Sequence, residues 1–243
     1  MRGVLLAGGT GSRLNPLTKV TNKHLLPVYD KPMIYYPINT LSQLMVTKLL
    51  IITGGEYIGS IADLLGDGNK FNMEFTYKIQ ENPDGIAGAL SLAEDFVNNK
   101  SFYTILGDNI FLDDTIDKNV FSNEATIYVQ KVKDAYRFGT YIPKDNIIIE
   151  KPNGVTDGLC VTGLYKYPSD VFEYIKRLTP STRGELEITD VNNWYLKQNR
   201  MEVLNVKEWF DAGTFDSLLK SSIAAQNKCN NSRWIRKWDN QNV

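Results

Sequence analysis

The sequence predicts an α/β fold: a single domain on an open, doubly wound, mostly parallel sheet with added antiparallel strands. Three observations lead there. Short apolar runs alternate with longer stretches of helical spacing through the first 110 residues; those runs are apolar throughout rather than at every second position; and the pattern turns strand-rich after residue 120. Uninterrupted apolar runs belong to strands covered on both faces, which is the condition inside a parallel sheet flanked by helices.

Residues 4–7, 48–53, 74–79 and 102–106 are the predicted parallel strands. Between them, residues 32–45 open with a proline suited to a first helical turn, residues 57–65 stop before Gly66, and residues 86–97 follow the turn of Pro83, Asp84 and Gly85. Right-handed crossovers between such units wind the sheet both ways, and its ligands sit beyond the carboxyl ends of the strands. Residues 125–132, 139–142, 146–150 and 159–165 read as further strands and hairpins beside the same sheet. Helices resume at 170–177, 187–198 and 214–226. A tail over 228–243 carries Trp234 and Trp238, expected to dock loosely on the body or on a neighbouring subunit.

The 243 residues suffice to bury a large core. With 27 Lys and Arg against 28 Asp and Glu, the net charge of -1 lacks the basic excess that duplex binding relies on. At 42% hydrophobic and 23% charged, the composition lies outside the disordered corner. Cys160 and Cys229, far apart in sequence, give neither a disulfide framework nor a zinc site. No apolar run approaches the roughly 18 residues of a membrane span, and the first residues lack a signal core. A cytoplasmic protein with no nucleic-acid or membrane partner is therefore expected.

Chemistry first shows where Leu6 and Ala7 run into Gly8, Gly9, Thr10, Gly11, Ser12 and Arg13. Glycines there let backbone N–H groups turn toward a phosphate chain, and Arg13 and Lys23 bring positive charge. The loop is not a P-loop, and it lacks the third glycine of the dinucleotide fingerprint. Taken alone it also fits an ordinary tight turn. Asp108 directly follows an apolar run and so belongs at the carboxyl edge of the sheet.

The blocks GGTGSRLNPLT, KHLLPVYDKPMIYYP, PDGIAGAL, LGDNIF, EKP, VTGLY, RGELEITDVNNWYL and WFDAGTFDSL, in that order from residue 2 to about residue 227, resemble the sugar-1-phosphate nucleotidylyltransferases. The resemblance implies the Rossmann-like nucleotide-diphospho-sugar transferase fold over residues 1–227, with a nucleotide half to about residue 110 and a sugar-phosphate half beyond it. It implies attack of a sugar-phosphate oxygen on the α-phosphorus of a nucleoside triphosphate, dTTP and glucose 1-phosphate giving dTDP-glucose and pyrophosphate, in a homo-oligomer. A UTP-dependent enzyme, one using another sugar 1-phosphate, and a non-catalytic nucleotide-sugar sensor stay open as alternatives. An NAD-dependent oxidoreductase is disfavoured by the incomplete fingerprint and by Asp30 sitting in a turn.

Residue by residue, the resemblance implies catalytic work on the triphosphate for Arg13 and Lys23, and Mg²⁺ ligation by Asp108 and Asp211. It places Leu6, Gly8, Gly9, Gly11, Ser12, Arg13, Lys23, Gln80 and Gly85 around the nucleotide. Asn109, Gly139, Glu150, Lys151, Val161, Tyr165 and Arg183 would hold the sugar phosphate. The Gln80 amide offers a donor and an acceptor that match O4 and N3–H of thymine or uracil. Glu150 and Lys151 point to opposite faces if the strand continues, unless the chain breaks at Pro152. Glu185 and Glu187 are expected to cap or orient Arg183. His24 stands where many members have Gln, and either touches nucleotide or takes a packed or surface role.

Overall fold

The computed structural model describes residues 1–113, 116 and 124–231, so the expectation for Trp234 and Trp238 lies outside the described residues. In chain order the elements are β1 (Arg2–Ala7), the hairpin β2 (Pro27–Val28) and β3 (Lys31–Pro32), α1 (Tyr35–Gln43), β4 (Lys48–Gly54), α2 (Ile58–Leu65), β5 (Glu74–Gln80), α3 (Ile86–Ser91), α4 (Glu94–Val97), β6 (Phe102–Leu106) and β7 (Asn109–Phe111). The second half adds β8 (Ala125–Val132), β9 (Gly139–Ile142), β10 (Ile147–Glu150), β11 (Gly158–Tyr167), α5 (Val171–Ile175), α6 (Ile188–Lys197), β12 (Met201–Asn205), β13 (Trp209–Asp211) and α7 (Phe215–Asn231).

The parallel strands lie in the order β6-β1-β4-β5, with β1 flanked by β4 and β6. The order therefore reverses between β1 and β6, and a crevice opens there beyond their carboxyl ends. On the far side of β6 the sheet becomes mixed: β11 runs antiparallel to β6, β8 and β9, while β12 adds to β8 in parallel. This is the doubly wound sheet with antiparallel additions that the sequence predicts.

Burial explains the uninterrupted apolar runs. Val4, Leu6, Leu50 and Ile52 join one core, with residues of α3, α5 and α6. Their sequence neighbours Leu5, Ala7, Leu49 and Ile51 join the other, with residues of α1 and α2. Only β5 departs from this pattern. It is an edge strand paired to β4 alone, and its sequence EFTYKIQ has Phe75 as its one buried side chain.

Three helices differ from expectation; the last runs on to Asn231, past the expected end at 226 and into the start of the expected tail. The predicted 32–45 helix begins at Tyr35, because Lys31 and Pro32 pair with the β2 strand and the N–H groups of Met33 and Ile34 donate to Leu26 and His24 carbonyls. That keeps the chain out of the helix until Ile34. The predicted 86–97 helix splits into α3 and α4. Ser91 Oγ takes the Gly88 carbonyl at 2.7 Å, Lys78 Nζ takes that of Leu92 at 2.8 Å, and the chain tightens to an i−3 bond from Ala93 to Leu90. The sequence reading also missed β2, β3, β7, β12 and β13, none longer than five residues. Among the described residues no helix is long and apolar enough to cross a membrane.

Leu50, 1% exposed in the middle of β4, tests the packing of this core. Leu50→Ala is expected to destabilise the fold by about 2–5 kcal/mol, read from urea unfolding, because the rigid sheet cannot collapse into the space left.

Candidate functional site

The switch point between β1 and β6 brings three chain segments together. The glycine loop leaves β1, Gly107 and Asp108 leave β6, and β13 pairs antiparallel with β7 so that Asp211 stands opposite Asn109. The Ala212 N–H donates to the Asp108 carbonyl at 2.9 Å, which fixes the two acidic segments side by side. Asn109 secures the crossing from inside. Its Oδ1 accepts from the Gly163 N–H at 2.8 Å and from Trp209 Nε1 at 2.6 Å, while its Nδ2 donates to Asp108 Oδ1 at 3.0 Å.

Asp108 is buried, and Lys23 Nζ donates to its Oδ2 at 2.5 Å. Burial alone opposes the charge, but the Lys23 ammonium and the bonds from Lys23 and Asn109 hold the carboxyl well below its ordinary range. Asp211 goes the other way. Burial and then the charge of Asp108 push it up to about 6, although Arg13, Arg137 and Lys23 pull against them. Arg13 reaches this point because residue 213 is glycine: a Cβ there would stand 2.8 Å from Arg13 Nη2 and 3.1 Å from Asp211 Oδ1.

Two cavities open on either side of Asp108. One, of about 250 Å³, is lined by Leu6, Gly8, Gly9, Lys23, Gln80 and Gly85, with His24 added. The other, of about 480 Å³, is lined by Arg13, Asn109, Gly139, Glu150, Lys151, Val161, Tyr165, Arg183 and Asp211. Asp108 and Leu106 belong to both walls. Arg13, expected with the nucleotide, thus faces the larger cavity. Gly11 and Ser12 line neither; Gly11, at φ 67°, leaves room for Thr18 and Lys23 and so shapes the loop.

The alternation of Glu150 and Lys151 is broken one residue before Pro152. Strand β10 ends at Glu150, Lys151 takes φ 45°, and both side chains line the larger cavity. Glu187 orients Arg183, accepting from its Nε at 3.2 Å and its Nη2 at 2.8 Å, while Ser181 Oγ donates to the same carboxylate at 2.6 Å. Arg137 was not singled out in the sequence. Its Nη1 donates to Asp134 at 2.6 Å and its Nη2 to Asp211 Oδ2 at 2.9 Å, a placement that no motif around AYRFG announces.

His24 is buried against Gly107, with Nδ1 2.6 Å from Asn22 Oδ1. An amide oxygen only accepts, so the network places the ring proton on Nδ1. Burial, then Lys23, push the imidazole down to about 3 against the pull of Asp108, and the ring is neutral near pH 7.

A family model described as nucleotidyl transferase matches residues 2–228. The chain belongs to that family. This nucleotidyl transferase is 40% identical over 238 residues to the glucose-1-phosphate thymidylyltransferase of Neisseria meningitidis, a match covering 93% of this chain and 83% of the relative. The Mycobacterium tuberculosis protein of the same name is 38% identical over 233 residues, covering 91% and 81%. A solved Bacillus anthracis structure assigned as a glucose-1-phosphate thymidylyltransferase, in complex with a sucrose, is 45% identical and superposes with a TM-score of 0.88 over 98% of this chain and 99% of that one. A UDP-glucose pyrophosphorylase complexed with UDP-glucose shares the fold at TM-score 0.82 and 23% identity, over 93% and 98% of the two chains. The nucleotidyl transferase thus has relatives of one name over most of its length.

Two predictions follow from the charges. The folded Asp211 carboxyl binds its proton more tightly than in the unfolded chain, so its effect on stability falls as pH rises from about 4 to about 6. In metal-free protein, Asp211→Asn should therefore melt above the parent at neutral pH, with the gap closing toward pH ~4. His24 is the single histidine, so its ring resonances are free of overlap. They should not titrate between pH ~8 and ~5, and the stability that neutral His24 contributes above pH ~6.5 should be lost as pH falls below it.

Proposed function

We propose that this chain transfers a thymidylyl group from dTTP to glucose 1-phosphate, forming dTDP-glucose and releasing pyrophosphate. The observation that carries it is the meeting of two cavities at Asp108, with Lys23 on one side and Arg13 on the other. Two polyanions have to approach each other, and the barrier is chiefly one of charge and alignment. Lys23, on the wall of the smaller cavity, serves the triphosphate and the charge that grows on departing pyrophosphate. Arg13, Lys151 and Arg183 line the larger cavity, where the phosphate of the sugar would sit. Gln80 and Gly85 serve the base, while Asn109, Gly139, Glu150, Val161 and Tyr165 surround the hexose. The name shared by relatives at 38% and 40% identity supports this choice of substrates.

The donor set fits Mg²⁺. Asp108 and Asp211 face one space, and the charge of Asp108 raises the carboxyl of Asp211, a repulsion that a divalent cation would relieve. Among the described residues no three His, Cys, Asp or Glu side chains cluster as ligands, so the rest of the shell would be water and phosphate oxygen, as this ion prefers. Asp108 and Asp211 would hold the ion, whose charge would offset that of the phosphates. Cytoplasmic residence and a homo-oligomer complete the proposal, the latter supported by the exposed stripe of Phe215, Leu219 and Ile223 along α7.

Pyrophosphate release with Mg²⁺, glucose 1-phosphate and either dTTP or UTP tests this reading. Release is expected with dTTP and is expected to stop on chelation of the metal. Asp108→Asn should lose about a hundredfold or more in turnover while keeping its fold; near-parental turnover would show that Asp108 is not in the reaction path.

A further inference from the structure

Gln80 stands on the wall between two spaces. On one side is the cavity of about 250 Å³ with Gly8 and Gly85, and on the other a cleft of about 340 Å³ whose wall includes Asp84 and Gly88. The two ends of its amide divide accordingly. Nε2 donates to Asp84 Oδ1 at 2.9 Å, and Oε1 lies on the Gly8 side, where a Cβ would stand 2.7 Å from it.

A carboxylate accepts hydrogen bonds and cannot donate. Turning the amide over would set Oε1 against an Asp84 oxygen and forfeit the bond. Asp84 is itself well seated. Its carbonyl accepts from the Leu186 N–H at 2.7 Å, its N–H donates to the Asn82 carbonyl at 2.9 Å, and its carboxylate lies over Gly88 of α3, where any Cβ would overlap it.

We infer that Asp84 is a positioning residue for base selection: it fixes Gln80 in the one amide orientation that accepts a pyrimidine with N3–H and refuses cytosine. The inference rests on Gln80 as the base reader of the proposed reaction. With Oε1 toward the base, the N3–H of thymine or uracil finds an acceptor, and the second N–H on Nε2 is left for a ring carbonyl. Cytosine presents an acceptor at N3 and an amino donor at C4, the reverse pattern. The fixed amide meets it acceptor to acceptor. A free amide would flip and take both bases, so discrimination resides in the carboxylate behind Gln80 and not in Gln80 alone. Thymine and uracil are read alike, because the methyl group at C5 neither donates nor accepts a hydrogen bond.

Steady-state pyrophosphate release by the Mg²⁺-loaded enzyme with glucose 1-phosphate decides the matter, comparing dTTP with dCTP for the parent, Asp84→Asn, Asp84→Ala and Gln80→Ala. Asparagine keeps the size of the side chain and a hydrogen bond, yet can hold Gln80 either way round, so a merely structural role would survive that change. The ratio of kcat/KM for dTTP over dCTP is expected to fall about tenfold in both Asp84 variants, through KM more than kcat; tenfold is about 1.4 kcal/mol, the scale of one hydrogen bond. Should Asp84→Ala lose its fold, Asp84→Asn alone decides. A parental ratio in Asp84→Asn overturns the inference. If Gln80→Ala collapses the ratio while Asp84→Asn keeps it, only the role of Asp84 fails; if Gln80→Ala keeps it too, the assignment of Gln80 to the base fails as well.

Discussion

Two carboxylates, Asp108 buried and Asp211 half-buried, are held next to each other at the point where the sheet reverses its winding, and much of the surrounding structure serves to make that tolerable. Like charges in a shared low-dielectric space cannot both ionise cheaply, and the protein resolves this asymmetrically. Asp108 takes the Lys23 ammonium and the Asn109 amide and is fully ionised. Asp211 takes Arg137, with Arg13 nearby, and still holds its proton unusually well. The result is a site with fixed positive groups on its flanks and a strained negative centre. Such an arrangement is suited to a cation and two phosphorylated substrates, and stores part of the stability of the fold as a demand for them.

The same asymmetry orders the two cavities. The smaller one has the glycines Gly8, Gly9 and Gly85 in its wall, which leave main-chain N–H groups open to a phosphate chain, beside the longer side chains of Lys23 and Gln80. The larger one is walled by long charged side chains whose partners are already arranged: Glu187 aims Arg183, Thr189 Oγ1 donates to Glu150 at 2.6 Å, and the left-handed turn at Lys151 keeps two adjacent residues on one side. Specific recognition of this kind depends on groups set before the ligand arrives, since ordering them afterwards costs affinity.

The parts of this design that were legible in the sequence are those written in one segment. The apolar runs of β1, β4 and β6 announce strands covered on both faces, and the glycine loop and Asp108 follow such strands directly, so their place at the carboxyl edge could be inferred. What stayed hidden depends on distant pairing. NIF and WFD are too short to read as strands, so the ladder that sets Asp211 against Asp108 went unread, and the two were expected together only from the resemblance. Arg137 lies in a short turn without any motif. Asp84 was visible only as part of a turn, because its bond to Gln80 arises from how the loop folds back over Gly88. The split of α3 from α4 likewise reflects Ser91 and Lys78 claiming carbonyls, a competition that helical spacing does not record.

The ladder between β7 and β13 also bears on how the molecule acquires its activity. Asn109 and Asp211 are separated by much of the chain, and their pairing closes a long loop whose entropy is lost before the contact returns anything. The four parallel strands and the smaller cavity draw on residues up to Asp108 and on Glu185, whereas pairing Asp108 with Asp211 needs the segment around Trp209 in place. A chain emerging from synthesis therefore carries most of the smaller cavity's wall before it carries both members of the acidic pair. The proposed reaction centre is complete only when one three-residue strand is docked, and a chain without that strand would keep most of the smaller cavity but not the acidic pair.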